Sequence, residues 1–319
     1  QWGVWIWVSI ILVYYILSTL LPIDKLISKL YPLFGIAMLL MALGLLSALF
    51  FGDYQIPELI PENLSNMTTN PEETPLFPML FVTIACGAIS GFHATQSPLM
   101  ARCIKNEKLG RKIFFGTMIT EGIVALIWAA AAMTFFGNVG ELNTAMLENN
   151  NNAAWAANEI SLNMLGGIGG ILALLGIVAA PITIGDTAFR SARLILSDIF
   201  KLKQTKIKSR LYLSLPLFMI AFVLTQLDFG VIWRYFAWSN QTLATVVLWT
   251  ITAYLIYENK AFWITMLPAI FMTMVCSTYI LIAPEGFQLA NHLAYVGGSF
   301  ITLGITILFW MYATKRKKV

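Results

Sequence analysis

Charge is scarce in this chain. Of 319 residues, only 11% are Asp, Glu, Lys or Arg, against 58% hydrophobic. A water-soluble domain of this length needs a polar shell, so that class is excluded. Histidine and cysteine are scarcer still, with two and three residues. Cys86, Cys103 and Cys276 fall in or beside apolar segments at no motif spacing. They make neither a disulfide framework nor a zinc site and read as buried free thiols. The sequence has no His-Glu-x-x-His for a zinc protease, and no stretch with the ten-residue alternation of a membrane barrel. The apolar start, Trp2 to Leu21, carries neither a basic n-region nor a small-residue cleavage site, so it reads as a span and not a signal peptide. A start at Gln1 with no Met leads to the expectation of a fragment lacking upstream helices.

Apolar runs are what the chain has in abundance. A spanning helix needs about 20 mostly apolar residues, and lipid leaves helices as the default because it satisfies no free backbone group. Nine stretches qualify, at roughly 2–21, 33–51, 77–101, 112–136, 166–189, 211–227, 231–256, 261–282 and 291–313. The expectation is a single all-α polytopic domain over 1–319, and ten Trp suit helix ends at two lipid interfaces. The basic residues test the count. Lys25 and Lys29, then Arg102 to Lys112, Arg190 to Arg210, Lys260 and the tail Lys315 to Lys318 fall in alternate gaps, 19 of 20 on one side. By the positive-inside rule that side is cytoplasmic, which places segments 22–32, 102–112, 190–210 and 314–319 inside. The acidic, proline-bearing segment 52–76 and the Asn-rich segment 137–165 are then external loops. Sequons at Asn63 and Asn66 carry no weight, because the pattern is too common.

Polar residues at membrane depth mark the candidate chemistry. The third span reads Ala85-Cys-Gly-Ala-Ile-Ser-Gly-Phe-His-Ala-Thr-Gln-Ser-Pro98. Gly87, Gly91 and Pro98 weaken a continuous helix there. Ser90, His93, Thr95, Gln96 and Ser97 are therefore placed at a helix break, which transporters use to hold substrate or ions. The bland alternative is a Gly-rich packing face with a hydrogen-bonded histidine. Glu121 sits in the fourth span between apolar turns, as a proton carrier or a structural partner. In the fifth span, Pro181 and Gly185 are expected to disturb the helix before Asp186 and Thr187, candidates for coupling a cation. Arg190, four residues after Asp186, can pair with it along one face as a gate or a plain interfacial ion pair. Arg234 stands alone among basic residues on the outer side, suited to attracting an anion or pairing with Asp228. Asn240 and Gln241 lie deeper, as substrate ligands or as hydrogen bonds to other helices.

Four runs then carry a resemblance. Ser90-Gly-Phe-His-Ala-Thr-Gln-Ser-Pro-Leu-Met-Ala-Arg-Cys103, Glu121-Gly-Ile-Val-Ala-Leu-Ile-Trp-Ala-Ala-Ala-Ala132, Gly185-Asp-Thr-Ala-Phe-Arg-Ser-Ala-Arg193 and Trp233-Arg-Tyr-Phe-Ala-Trp-Ser-Asn-Gln-Thr-Leu-Ala244 occur in this order. The chain, over about 80–319, resembles the carbon starvation protein A (CstA) family. The resemblance implies a bacterial inner-membrane carrier with a broken-helix, inverted-repeat fold akin to the amino acid–polyamine–organocation transporters. It also implies further helices upstream. The substrate would be a peptide or pyruvate, with a coupling cation, no cofactor, no metal and no nucleic acid. Two other classes are weighed against it. An intramembrane hydrolase on Ser90 is disfavoured because Gly87-Ala-Ile-Ser90-Gly91 is one residue longer than Gly-x-Ser-Gly. A non-transporting subunit or sensor leaves the polar residues at the helix breaks unexplained.

Overall fold

Lipid leaves a backbone nowhere to hydrogen-bond except to itself, and the chain answers with helices throughout. A computed structural model describes residues 2–20, 24–58, 60–204, 206–227 and 229–316, and among them there is no strand. The helices are α1 (Trp2–Leu20), α2 (Asp24–Phe51), α3 (Leu76–Ile84), α4 (Phe92–Cys103), α5 (Gly116–Phe135), α6 (Val139–Glu148), α7 (Ala153–Ala173), α8 (Ala180–Ile199), α9 (Ile207–Leu224), α10 (Phe229–Tyr257), α11 (Trp263–Ile282) and α12 (Asn291–Arg316). A π-helical turn, Arg111–Phe115, leads into α5, and another, Leu174–Ala179, joins α7 to α8. Large apolar side chains stand in the open, among them Leu126 (72% exposed) and Phe300 (71%). Water would penalise such a surface and a bilayer stabilises it. The chain is a multi-pass membrane protein.

The chain divides into two compact units, each discontinuous in sequence. The first comprises residues 1–67 and 119–226. Its core is Met41, Ala42, Leu45 and Leu49 of α2 against Ile127 and Ala131 of α5 and Ile160 and Ala173 of α7. The second comprises residues 68–118 and 227–319. There α11 is the central helix, burying Ala269, Met272, Val275, Cys276 and Tyr279 among others. Helices α10 and α12 flank it. Gly298 lets α12 approach closely, since a Cβ there would lie 2.2 Å from Thr278 Oγ1. The indole of Trp238 donates to Cys276 O at 3.0 Å and that of Trp249 to Thr273 Oγ1 at 2.9 Å, tying α10 to α11.

Several expectations change in detail. Seven helical stretches among the described residues are long and apolar enough to cross a membrane, against the nine counted from sequence. The first span offers only Trp5–Ser18 as a described apolar stretch. Helix α10 is 29 residues long but carries Arg234, Ser239, Asn240 and Gln241, which lower its hydropathy. The Asn-rich segment 137–165 is largely helical. Its asparagines are caps: Asn138 Oδ1 accepts from Glu141 N at 2.9 Å to start α6, and Asn152 Oδ1 accepts from Ala154 N at 3.0 Å to start α7. Helix α8 runs to Ile199, through half of the segment read as a loop over 190–210, and α2 begins at Asp24 inside 22–32. The cysteines are free, but only Cys276 is buried; Cys86 and Cys103 are exposed.

Candidate functional site

The third span is broken as its glycines require. Helix α3 stops at Ile84, a short 3-10 turn spans Ala85–Gly87, and helix resumes at Phe92. The backbone of the interruption is satisfied from α10. Asn240 Oδ1 accepts from Phe92 N at 2.7 Å and from Ser90 Oγ at 3.4 Å. Its Nδ2 reaches Cys86 Sγ at 3.7 Å. With the Gln241 amide turned so that donors meet acceptors, its nitrogen donates to Ile89 O at 2.8 Å and its oxygen accepts from Cys86 N at 3.0 Å. Gln241 is fully buried and Asn240 nearly so. The adjacent amides thus clamp both edges of the break. Gly91 permits it by close approach, because a Cβ there would lie 2.1 Å from Asn240 O and 3.0 Å from Ala244 N.

Of the residues placed at the break, only Ser90 lies in it; His93, Thr95, Gln96 and Ser97 lie in α4 beyond it, where helix has resumed, and α4 borders two clefts. His93 and Ser97, one helical turn apart, border both. The larger, about 460 Å³, continues along Ser90, Met118, Ala244 and Leu248. The smaller, about 230 Å³, is closed by Gln96, Met100, Phe114 and Thr117. Both are mostly apolar with a few polar groups, the usual character of a small-molecule site. Thr95 turns inward on its own helix, donating to Phe92 O at 2.8 Å, and lines neither cleft. Pro98 is exposed and sits inside α4. Ser90, the residue weighed as a hydrolytic nucleophile, has its hydroxyl engaged by the Asn240 amide.

The first unit holds the other cluster. Helix α7 kinks at Gly166 (φ +64°, ψ −153°), and the π turn Leu174–Ala179 follows just before Pro181. The disturbance expected around Pro181 lies on its N-terminal side, whereas Gly185 is inside unbroken α8. Asp186, 4% exposed, accepts a short hydrogen bond from the hydroxyl of Ser18 on α1. Its other oxygen meets Arg190 at 3.2 Å, the i,i+4 pair read from the sequence. Gly185 leaves room for Tyr15, whose hydroxyl would lie 2.2 Å from a Cβ there. Thr187 and Glu121 are half-buried on α8 and α5.

At the other end of α10, Arg234 Nε is 3.0 Å from Glu285 Oε2. Asp228, the partner weighed from sequence, lies outside the described residues. The Glu285 side chain is 2% exposed, accepts from Tyr279 Oη at 2.7 Å, and its backbone carbonyl accepts from Tyr235 Oη at 2.8 Å. Sequence reasoning missed Glu285 and Ser18. Glu285 was findable as the one acidic residue between the last two apolar runs. Ser18 is a lone hydroxyl at the end of an apolar helix, with no spacing to flag it. Among the described residues, no three His, Cys, Asp or Glu side chains are grouped as metal ligands.

Comparison with known proteins places these elements in a family. The carbon starvation protein CstA family matches residues 2–169. The match includes the first two helices and ends before the Gly185 and Trp233 runs, so it extends further upstream than the resemblance over 80–319. An uncharacterized membrane protein of Haemophilus influenzae is 45% identical over 155 residues, 44% of this chain and 42% of its own length. The protein named peptide transporter CstA of Campylobacter jejuni is 25% identical over 299 residues, 69% of this chain and 41% of its own. The pyruvate/proton symporter BtsT of Escherichia coli is 48% identical over 58 residues, 18% of this chain and 8% of its own. The chain thus spans less than half the length of each of these relatives. No solved structure matches it. With its family match covering more than half of the chain, this membrane protein belongs to the carbon starvation protein CstA family.

Proposed function

We propose that the chain is part of a secondary active transporter that imports peptides, coupled to a cation, most simply the proton. The observation that carries this reading is the helix break held open by Asn240 and Gln241, with His93, Gln96 and Ser97 lining clefts immediately beyond it. Broken helices with polar linings serve solute binding at membrane depth, and a structural subunit has no need of one. In this reading Ser90, His93, Gln96 and Ser97 meet substrate, and Asn240 and Gln241 fix the break that positions them. Glu121 carries the proton, while Asp186 and Thr187, with Arg190, form a cation site or inner gate. Arg234 serves the outer side, guiding an anionic group when its exposed guanidinium is shared with Glu285. The fold is the inverted-repeat type, set in a bacterial inner membrane with the basic tail inside.

A second reading, uptake of pyruvate or another small carboxylate, is favoured by the name of the Escherichia coli relative. The clefts, about 230 and 460 Å³, suit a three-carbon acid as well as a short peptide. Proteoliposome uptake of labelled dipeptide and of pyruvate, driven by an imposed pH gradient with and without a protonophore, separates the two. Protonophore-sensitive accumulation of either supports transport, and accumulation of neither removes it. Glu121→Gln should abolish gradient-driven uptake but keep counterflow, since exchange needs no net proton movement. Full concentrative uptake by that variant would remove Glu121 as the carrier.

A further inference from the structure

The clefts beside the break do not exhaust the second unit. At the ends of α10 and α12 a separate cleft of about 380 Å³ is lined by Ala253, Tyr254, Ile256, Tyr257, Tyr312 and Asn259. Its lining combines apolar side chains with phenol hydroxyls and an amide. The apolar span of α12 ends at Ala313, which also borders the cleft, so the cleft lies at the level where hydrocarbon gives way to headgroups. Tyrosine at that depth has its ring in lipid and its hydroxyl in the headgroup layer.

Charge decides what fits. The Lys260 ammonium lies 5.9 Å from the centroid of the ring of Tyr254, a residue of the cleft lining. In sequence, Lys315, Arg316, Lys317 and Lys318 follow the cleft residue Ala313 almost directly. Glu258 lies 3.7 Å from Lys260 Nζ, in a pair whose members are 59% and 36% exposed and therefore weakly held. Two helix C-termini converge here, and their dipoles oppose an anion. At α10 that opposition is blunted, because the last carbonyls are already capped. Lys260 N donates to Leu255 O at 2.8 Å and Asn259 N to Ile256 O at 3.1 Å, with Asn259 in the left-handed region at φ +53°. A partial end charge of about half a unit does not outweigh a full cation.

We propose that this cleft binds one anionic glycerophospholipid of the surrounding leaflet. Its phosphate lies against Lys260 and the tyrosine hydroxyls, and its acyl chains run along Ala253 and Ile256. The hydroxyls and amide of the lining and its methyl groups match the two ends of such a lipid, whereas a free phosphate uses only the polar groups.

Native mass spectrometry of the detergent-solubilised protein, titrated with phosphatidylglycerol, tests this. One lipid per chain should be retained, and phosphatidylcholine should bind about tenfold more weakly. Tyr257→Ala with Tyr312→Ala should abolish retention, and Lys260→Gln should weaken it several-fold. Tyr212→Ala, on α9 outside the cleft and 75% exposed, should leave it unchanged. Equal retention of the zwitterionic lipid overturns the proposal, as does glycerol phosphate binding as tightly as the lipid. Should the tyrosine pair fail to fold, Lys260→Gln decides alone, its side chain being 59% exposed, and retention equal to that of the parent overturns the site.

Discussion

The break between α3 and α4 and the kink in α7 are made by different means. Between α3 and α4 the backbone leaves helical hydrogen bonding, and its free groups go to side-chain amides of another helix, Asn240 and Gln241 of α10. In α7 the kink is built into its own backbone. Gly166 takes a positive φ of 64°, and the π turn Leu174–Ala179 keeps its bonds inside the segment. The first kind of break exists only while α10 stays in register with it, so a shift of α10 alters the site. The second kind is autonomous. A break held by a neighbour can be coupled to that neighbour's movement, which is the property an alternating-access carrier requires.

The sharpest way to break the comparison is Gly91→Ala. Its Cβ would lie 2.1 Å from Asn240 O and 2.9 Å from Leu243 Cβ, and α10 backbone cannot step aside cheaply. Stability should fall by about 3 kcal/mol. Thermal unfolding in detergent followed by size-exclusion chromatography checks it, with Gly167→Ala, which meets nothing within 4 Å, as the tolerated control. A Gly91→Ala protein as stable as its parent would show that α10 does not hold the break.

Next in size comes Gln241→Ala. It strands Ile89 O and Cys86 N in a fully buried place, at a cost of about 2 kcal/mol. The loss should also appear as faster amide exchange confined to residues around 85–91. A loss of stability spread evenly over both units would make Gln241 an ordinary core residue.

These two positions show what was legible in sequence. The glycines announced a break, because the backbone rules they follow are local, whereas Pro98 announced one that did not form, since α4 runs through it to Cys103. The adjacent amides announced hydrogen bonds to another helix, but no spacing says which helix. Their burial identifies them as the clamp more than as a lining of the clefts. Asp186 and Arg190 were legible for the opposite reason, being one turn apart on one helix. Ser18, 168 residues from Asp186 in sequence, was not. The Asn-rich segment misled because asparagine caps helices as readily as it fills loops, and here Asn138 and Asn152 do the former. Helix α10 fell short of the expected span because Arg234, Ser239, Asn240 and Gln241 dilute its apolar run.

Gly166→Ala tests the autonomous kink. A side chain at φ +64°, ψ −153° is strained whatever the space around it, and nothing lies within 4 Å of the added Cβ. The cost should be about 1–2 kcal/mol, all of it backbone strain. It should not depend on α10, so Gly166→Ala combined with Gln241→Ala should be additive within about 0.5 kcal/mol. A large coupling in that double-mutant cycle would merge the two kinds of break into one.

The smallest effect is expected at Ser18, and it bears on whether the first unit has a functional site at all. Ser18 and Asp186 are each 4% exposed, and the serine hydroxyl donates to one carboxylate oxygen while Arg190 takes the other. Arg190 is 31% exposed at its side chain, so it retains water as an alternative partner; the buried serine has none so close. Removing the hydroxyl leaves the carboxylate one donor short in a dry place, which should lower stability by about 1 kcal/mol. Ser18→Thr keeps a donor and should recover most of it. If Asp186 shapes a cation site or gate, Ser18→Ala should slow counterflow and gradient-driven uptake together, because both require that site. Glu121→Gln, by contrast, should spare counterflow. A Ser18→Ala protein that is less stable yet transports at the parental rate in both assays would make the Ser18–Asp186–Arg190 cluster a fastener between α1 and α8, and would confine the transport chemistry to the clamped break of the second unit.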